Sequence, residues 1–574
     1  MNARLSMLAS VLLVAACGGE PPPPPVEPAP PPPEPTVSAA PPVELPPAVP
    51  ESVAALGMGA MLFDDLGPLH HAVTASLEAQ PYFDQGLRLD YGFNHDEATR
   101  SFARAAQIDS TCAMCFWGVA LTLGPNYNFP MLPERARATW DALQRAQALA
   151  PKATPVEQAL IAALGKRHGS AEPLDAAQMA PFNAAYADAM RDVAKRFPDD
   201  DDAQVLFAEA LMDKNPWKLW SIDGQAAPGT DEIVATLERV LARAPTHPGA
   251  NHYCIHALEA SPHPERALPC AERLVGAMPG AGHIVHMPAH IYQRVGRYAD
   301  ASAANERAIV SDDAYAKKTK PPGYYSMYQA HNYGFLAFSA SMEGRAAASL
   351  AAARSSAGVM MPGVCAMPGM DFFVSEPIMA MVRFGRWDDL LKEPKPDAKY
   401  LEWTALWLHG HGMALAGVGK LADAHADLAA LTKMAADAPA DLTVGVNNTA
   451  KDVFAVAAKI LEARLATLEK NKDALDLWAD AVARADKLAY DEPDDWFYPV
   501  RHYQGAALLE SKKAKQAEAV YREDLVRHPH NGWALFGLWK SLAAQHKARD
   551  AKAAKADFEA AWAKADVKLT SSAF

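Results

Sequence analysis

Apolar residues recur at helical spacing along almost the whole chain after about residue 80. Ala and Leu return at intervals of three and four residues, and Gly and Pro mark the joints between these stretches. Because residues three and four apart share one helical face, this pattern predicts helix after helix. Strand-like alternation is scarce, and 574 residues are too many for one compact core. The sequence therefore predicts an all-α chain with several domains or an extended repeat array.

Short motifs return at the spacing of a helical repeat. The run 296–301 (GRYADA), followed by Ala308, resembles the turn and second helix of a tetratricopeptide repeat, or TPR. The run 93–98 (FNHDEA) matches the same template, and Trp117-Gly118 falls in the first helix of the next unit. Further template positions are filled by Phe102, Ala105, Gly344, Gly385, Gly419, Gly505, Leu508, Ala517, Tyr521, Pro529, Trp533, Phe536 and Gly537.

The TPR resemblance covers most of residues 80–565, with degenerate units at about 150–245 and 350–400. It implies an all-α, TPR-type helical-hairpin solenoid. In this fold, small residues let two antiparallel helices approach closely, and large residues fill the gaps between successive pairs. Since one pair cannot bury its apolar face alone, the pairs stack into a superhelix with a concave face. That face implies a groove for a protein or peptide partner.

Four segments also resemble a subfamily of bacterial repeat proteins with paired His-x-x-x-His motifs. They are the runs 82–87 (YFDQGL), 124–126 (GPN), 249–252 (GANH) and 286–290 (HMPAH). This resemblance implies the repeat fold and brings no activity with it.

The N-terminus is predicted to be an export signal. Arg4 supplies positive charge, and the apolar run 5–16 is too short to span a membrane. The run ends in Val14-Ala15-Ala16-Cys17, which resembles a bacterial lipobox, in which the Cys is lipidated and becomes the mature N-terminus. The alternative is an ordinary secretory signal with a chance Cys. We predict a lipid anchor at Cys17 in the cell envelope, and the absence of Asp at position 18 favours the outer membrane.

Composition divides the chain into four segments. A lipoprotein signal peptide is predicted at 1–17, and a Pro-rich linker at 18–52. Pro-rich chain favours extended polyproline II and acts as a semi-rigid spacer. An N-terminal TPR-like solenoid with a histidine cluster is predicted at 53–390, and a C-terminal TPR-like solenoid at 391–574.

Charge argues against one class of partner. The chain has 54 Lys and Arg against 68 Asp and Glu, a formal net charge of −14, and no long basic run. Phosphate contacts supply most of the affinity for nucleic acid, so no nucleic-acid partner is predicted.

The six cysteines do not suggest a disulfide framework. With Cys17 lipidated, five remain, and an odd number cannot all pair internally. Cys112 and Cys115 have the Cys-x-x-Cys spacing, but they fall in the first helix of a repeat. We expect them to be buried small residues, with a surface disulfide as the alternative.

Histidines concentrate in one short region. Of nineteen in the chain, six lie within 252–290: His252, His256, His263, His283, His286 and His290. His252/His256 and His286/His290 have the i,i+4 spacing, which places two imidazoles on one helical face. Both members of the second pair follow those of the first by 34 residues (286 − 252 and 290 − 256), the length of one TPR. Equal register in consecutive repeats places the two pairs side by side on adjacent first helices, and the TPR resemblance implies that these positions face the concave groove.

This register predicts a metal site in the groove. We expect His252, His256, His286 and His290 to bind one transition-metal ion, with His331, His283 and Glu259 as additional ligands or supporting groups. Imidazole donors with one carboxylate suit Zn, Cu, Fe or Ni. Alternatively, the histidines are satisfied structural residues, or they bind an acidic ligand through their N–H groups.

Two details qualify the prediction. Pro288 lies between His286 and His290, so it either kinks a helix or begins one, and His286 then lies at the edge of regular helix. Neither pair is His-Glu-x-x-His, since Tyr253 and Met287 occupy the position of a metalloprotease's general base. A zinc-protease mechanism is therefore disfavoured.

A second, metal-like stretch of sulfur-containing residues gives a weaker indication of a metal site. Met360, Met361, Cys365, Met367 and Met370 lie in a segment punctuated by Pro and Gly. Sulfur ligands select Cu(I), but adaptable apolar packing in an irregular connection explains them better.

Three functional hypotheses follow. The leading one is a cell-envelope scaffold with a His-rich metal site in its groove. The second is a metalloenzyme that uses the same site for redox or hydrolytic chemistry. The third is a protein-interaction module without metal.

Overall fold

The computed structural model describes residues 49–321, 325–364 and 370–574. The predicted signal peptide, Cys17 and nearly all of the predicted linker lie outside the described residues. Cys365 and Met367 lie outside them as well.

Helices account for nearly all regular structure in the described ranges. The α-helices in chain order are α1 (Glu51–Ala54), α2 (Gln80–Tyr91), α3 (His95–Ile108), α4 (Ala113–Leu123), α5 (Ala136–Leu149), α6 (Pro155–Leu164), α7 (Ala176–Arg196), α8 (Asp201–Met212), α9 (Thr230–Arg243), α10 (Pro248–Leu258), α11 (Leu268–Leu274), α12 (Gly282–His286), α13 (Pro288–Arg294), α14 (Tyr298–Thr319), α15 (Tyr325–Met342), α16 (Ala346–Val364), α17 (Glu376–Arg383), α18 (Trp387–Leu390), α19 (Leu401–Gly417), α20 (Leu421–Asp437), α21 (Ala450–Leu468), α22 (Ala474–Ala485), α23 (Val500–Glu510), α24 (Ala514–Arg527), α25 (Gly532–Ala544) and α26 (Ala548–Ala561). Short 3₁₀ turns lie at Ala55–Gly57, Pro133–Arg135, Ala150–Lys152, Pro264–Ala267 and Phe373–Ser375.

One small sheet interrupts the helices. Strands β1 (Thr443–Val444) and β2 (Asn448–Thr449) pair antiparallel, with Thr443 opposite Thr449 and Val444 opposite Asn448.

Successive helices pack on one another, as the repeat motifs predict. α2 packs on α3 and α3 on α4, and the same holds for α14, α15 and α16 and for α23 to α26. The chain is an all-α, TPR-type helical-hairpin solenoid, so the predicted fold class is confirmed.

Phe102 shows how the repeat motif works in the first units. Its ring is completely buried between Gly86 of α2 and Gly118 of α4. A Cβ atom at Gly86 would lie 2.7 Å from the ring, and one at Gly118 would lie 2.4 Å away. Since neither distance is tolerable, a side chain at either position would force the helices apart.

The same arrangement returns near the C-terminus. The buried ring of Tyr521 lies between Gly505 of α23 and Gly537 of α25, where a Cβ would approach it to 2.3 and 2.1 Å. Its hydroxyl is within 2.6 Å of the Ser572 hydroxyl, which ties the end of the chain to this repeat.

The predicted turn glycines adopt backbone conformations that favour glycine. Gly296 has a φ of 77° and Gly344 a φ of 73°, in the left-handed region where L-residues with a Cβ are strained. Each follows the first helix of a hairpin, where the chain must reverse.

The C-terminal helices return against the N-terminal ones. The indole N–H of Trp533 donates to the carbonyl of Ser341 at 2.8 Å, and the Asn447 amide donates to the carbonyl of Trp217 at 3.2 Å. The largest apolar cluster runs from Val53 to Phe335, and the next largest begins at Tyr298. The division between 53–390 and 391–574 stays a prediction.

Cys112 and Cys115 are buried, as predicted, but the expectation that they are unpaired is wrong. Cys112 and Cys115 form a disulfide, as do Cys254 and Cys270, and all four residues are buried. Cys112 caps α4 from just outside the helix, which brings it to Cys115 with a Cα separation of 5.4 Å. Cys254 on α10 faces Cys270 on α11 at 6.4 Å, also within disulfide range.

Two of the three described methionines of the second metal-like stretch are packing residues. Met360 is buried against Ala330 and Val374, and Met370 packs on the same cluster. Met361 is 39% exposed.

Candidate metal centre

Helix α10 is held against α2 by a close backbone approach. It begins with Pro248 after His247, whose ring accepts a backbone N–H at the helix start. A Cβ at Gly249 would lie 2.5 Å from the ring of Tyr91, so only Gly permits the contact. This approach brings the imidazole of His252 to the main chain of Tyr91.

The second histidine pair spans a helix junction. α12 ends at His286 and α13 begins at Pro288, with Met287 between them. Proline lacks an N–H and cannot continue the preceding helix, so the predicted interruption is present. The rings of His286 and His290 nevertheless remain close, with centroids 4.6 Å apart.

One group of three buried histidines, the first histidine set, consists of His252, His256 and His283. The Nδ1–H of His252 donates to the carbonyl of Tyr91 at 2.6 Å, since a carbonyl can only accept. Its Nε2 lies 3.1 Å from Nε2 of His283. One ligand nitrogen from each member lies within 4.8 Å of the other two. Two nitrogens bound to one tetrahedral ion at about 2.0–2.1 Å are roughly 3.3 Å apart, so this spacing suits shared ligands.

The second histidine set consists of His286, His290 and His331. The Nδ1–H of His286 donates to the Asn305 carbonyl oxygen at 2.6 Å, and the Asn305 amide donates to a backbone carbonyl, which fixes its orientation. Nε2 of His286 lies 2.7 Å from Nε2 of His290. The His331 ring centroid is 4.8 Å from that of His286 and 5.7 Å from that of His290. These three residues also offer ligand nitrogens within 4.8 Å of one another.

A pair of buried carboxyl groups lies behind the histidines. Glu259 places Oε1 2.9 Å from Nδ1 of His256 and Oε2 2.8 Å from Nδ1 of His290. Glu492, from the segment between α22 and α23, also contacts Nδ1 of His290. Burial alone would raise the pKa of Glu259, but the imidazoles of His256 and His290 outweigh burial and lower it. Burial and the neighbouring charge of Glu259 raise the pKa of Glu492, so the pair shares one negative charge.

The environment keeps most of the imidazoles neutral. Burial lowers the pKa of His252, His283 and His286 well below the usual range. Burial, helped by nearby His290, lowers the pKa of His331 to about 3. Neutral imidazole is the form that binds metal, because the ligand is the ring nitrogen lone pair.

Unsatisfied nitrogens test whether a metal fits. Nε2 of His256 and Nδ1 of His283 are buried and have no hydrogen-bond partner among the described residues. Such atoms cost free energy unless something satisfies them. Nδ1 of His290 also lacks a hydrogen-bond partner among the described residues, although Oε2 of Glu259 lies 2.8 Å from it. In the facing pair His286–His290 the two Nε2 atoms are 2.7 Å apart, so a proton or a cation must lie between them. Imidazole donors suit Zn, Cu, Fe or Ni.

A large pocket borders the site. Its volume is about 1210 Å³, and His256, His283, His290 and His331 reach its wall. Aromatic and sulfur-containing side chains form much of the remaining wall, together with the acidic segment 491–495. The histidines are thus enclosed within the array rather than exposed along an open groove.

The structure brings all the predicted site residues together but groups them differently. His252, His256, His283, His286, His290, His331 and Glu259 all belong to the cluster. The four residues expected to surround one point instead separate into the two histidine sets. The reason is that His283 reaches back to the pair on α10, and His331 reaches back to the pair at the α12–α13 junction. His263, expected in a turn, precedes a 3₁₀ turn, and its side chain is 68% exposed.

Sequence analysis missed Glu492 and Asn305. Glu492 lies in an acidic run, 491–495 (DEPDD), which has no helical register and no link to the histidine motifs. Asn305 lies on α14, and only its place four residues after Ala301 of the TPR motif marks it as inward-facing. Neither position carries a signal that distinguishes it from ordinary surface or core residues.

Comparisons with known proteins add no function. No protein-family model matches the chain, and no curated protein matches it. A solved structure of an IFIT1 monomeric mutant with Gppp-AAAA is 11% identical, covers 85% of this chain and 97% of its own, and has a TM-score of 0.33. A human IFIT1 dimer with m7Gppp-AAAA is 12% identical, covers 83% of this chain and 95% of its own, and has a TM-score of 0.32. At such TM-scores neither likeness carries an argument, and those ligands belong to IFIT1.

Within the described residues, no helix combines the length and apolar character needed to cross a bilayer.

Proposed function

We propose that this chain is a lipid-anchored TPR scaffold of the bacterial cell envelope that holds transition metal on its buried histidines. The supporting observation is the orientation of four rings: His252, His256, His286 and His290 each turn Nδ1 toward an oxygen atom. An oxygen acceptor keeps the proton on Nδ1 and leaves the Nε2 lone pair for a metal, a common arrangement around protein-bound zinc.

The metal content of the purified protein tests this proposal. Protein prepared without chelator, or offered Zn, Cu, Fe or Ni, is expected to retain metal after gel filtration. The double variant His252→Ala/His286→Ala is expected to retain none, because it removes one ligand from each histidine set. Elemental analysis by mass spectrometry measures both.

His263→Ala is the matched control, because this neighbouring histidine is exposed and its side chain pairs with the exposed Glu265. It is expected to keep the wild-type metal content. If the wild-type protein retains no metal under any of these conditions, the metal proposal is abandoned in favour of a protein-interaction module whose pocket binds a peptide.

The pocket favours a metalloenzyme as the second candidate. Since His256, His283, His290 and His331 reach the pocket wall, an ion with three histidine ligands would keep its fourth position toward that space. Such an open position is needed for redox or hydrolytic chemistry. Azide added to the Cu(II)-loaded protein should produce a new ligand-to-metal absorption band if the position is open. An unchanged spectrum supports the scaffold instead.

The residues before and after Cys17 are the grounds for proposing a lipid anchor at Cys17. The small residues Val14-Ala15-Ala16 precede it, and the Pro-rich spacer follows. Cys17→Ser should move the protein from the membrane fraction to the soluble envelope fraction, with Cys365→Ser as the control. If the Cys17→Ser variant still sediments with membranes, the anchor is wrong.

A further inference from the structure

We propose that the cluster is a two-ion centre, with one transition-metal ion on each histidine set and Glu259 linking the two. This inference rests on the proposed metal site and adds the number of ions, their ligands and their coupling.

The number of imidazoles favours two ions. Five buried histidine rings and the partly buried His331 are too many for one tetrahedral ion, which takes four ligands. Ligand nitrogens lie within 4.8 Å of one another inside each set, and the two sets share no member. A single ion on the second set would leave Nε2 of His256 and Nδ1 of His283 buried without a hydrogen-bond partner among the described residues.

The repeat architecture explains why there are two sets. In each, an i,i+4 pair from one repeat is completed by a single histidine from the first helix of the next. His283 lies 13 residues before the turn at Gly296, and His331 lies 13 residues before the turn at Gly344. The two sets are therefore the same local arrangement used in consecutive repeats, and each is expected to bind its own ion.

Glu259 joins the two sets through a single carboxylate. Its Oε1 contacts Nδ1 of His256 in the first set, and its Oε2 contacts Nδ1 of His290 in the second. A carboxylate that accepts from a ligating imidazole orients the ring and raises its basicity. Across the sets, the ring centroids of His256 and His290 are 5.7 Å apart, so the two ions would be near neighbours.

Metal titration of single-set variants tests the ion count. Chelator-stripped wild-type protein should bind two equivalents of Cu(II) or Zn(II), while His283→Ala and His331→Ala should each bind one. In the Cu(II) form, two neighbouring ions should weaken or broaden the electron paramagnetic resonance signal. Each single-set variant should restore the signal of one isolated Cu(II).

The outcomes separate this inference from the proposed function. Binding of one equivalent by wild-type protein, lost in both His283→Ala and His331→Ala, would overturn the two-ion centre and keep the metal site. Binding of none would overturn both. His263→Ala should bind two equivalents, and circular dichroism shows whether each variant keeps its helices.

Glu259→Gln tests the link between the ions. The amide keeps the shape of the side chain but loses its charge, so both ions should bind about 10- to 100-fold more weakly. Asn305→Ala is the matched comparison, since Asn305 supports only His286 and should weaken only the second ion. If Glu259→Gln weakens the binding of only one ion, or of neither, Glu259 does not link the two histidine sets.

Discussion

Two groups of buried histidines, one in each half of the chain, differ in how their ring nitrogens are satisfied. In the C-terminal half, His409 donates from Nδ1 to the Ala457 carbonyl at 2.9 Å and accepts at Nε2 from the Tyr498 hydroxyl at 2.6 Å. His502 accepts from Arg383 at 2.9 Å and donates to Asp524 at 2.8 Å. Each ring has one donor and one acceptor partner, as neutral imidazole requires.

In the N-terminal half, the histidine sets break this rule. Nε2 of His256, Nδ1 of His283 and Nδ1 of His290 have no hydrogen-bond partner among the described residues. All of these histidines except His331 are buried in both halves, so burial does not distinguish a structural histidine from a ligand. The distinguishing property is whether each nitrogen meets a complementary atom.

The largest effect expected from this contrast is on metal-dependent stability. Adding Zn(II) to chelator-stripped protein at about 1,000 times its Kd should raise the free energy of unfolding by about 4 kcal/mol, because the ion binds the folded state. His252→Ala/His286→Ala should abolish this gain. Thermal unfolding with and without Zn(II) measures it.

The comparison also predicts the opposite pattern for the C-terminal half. His409→Ala should lower the melting temperature without metal but keep the full Zn(II)-dependent gain. If His409→Ala removes the gain as completely as the double variant, the two groups of histidines do not differ in function.

A smaller effect is expected from His502→Ala. It removes one hydrogen-bond partner from each of two buried charged groups, Arg383 and Asp524, and each loss costs about 1–3 kcal/mol. Since Asp524 keeps a bond from Asn531, we expect a total loss of about 3 kcal/mol, with unchanged metal content. Urea unfolding followed by circular dichroism measures the loss.

His425→Ala is the matched control for that experiment. His425 is 48% exposed and pairs with Glu469 at 2.7 Å. Exposed ion pairs contribute about 0–1 kcal/mol, so the variant should be nearly as stable as wild type. Equal losses in both variants would show that the buried network around His502 is not stabilising.

The last expected effect is a pH dependence of the stability at His528. Burial alone would lower its pKa, but a hydrogen bond to Asp494 and the charge of Asp524 outweigh burial and raise it to about 9. A folded-state pKa above the unfolded value of about 6.5 means that folding favours the protonated ring. This contribution is complete below about pH 6.5 and is lost as the pH rises through about 9.

His528→Gln should therefore flatten the stability profile between pH 6.5 and 9. The melting temperature of wild type should fall more steeply across this range than that of the variant. Parallel curves would mean that His528 does not titrate with folding. Its contrast with His502, whose pKa burial lowers to about 4, separates a charged structural histidine from a neutral one.

The fold could be predicted because its determinants are local. Gly86, Phe102 and Gly118 lie close in sequence, and their sizes alone require two helices to approach around one ring. The turn at Gly296 is similarly specified by its own residues. The disulfide between Cys254 and Cys270 was missed because it depends on how α10 and α11 face each other, which their spacing does not fix.

The site could be predicted only in part. The 34-residue offset identified both histidine pairs, because residues one repeat length apart occupy equivalent positions in successive repeats. It could not show that His283 completes one set and His331 the other, since that depends on the tilt between successive hairpins. Glu492 was beyond prediction, because only the return of the C-terminal helices brings it to His290.

The distance along the chain between Glu492 and the histidines imposes an order in time. A chain emerges N-terminus first, and 161 residues separate His331 from Glu492 (492 − 331). At synthesis rates of about 5–20 residues per second, the histidines precede their acidic wall by roughly ten to thirty seconds. During that interval the histidine sets lack the wall that residues 491–495 provide in the complete chain. An ion bound as proposed would then reflect the compartment in which the last repeats fold.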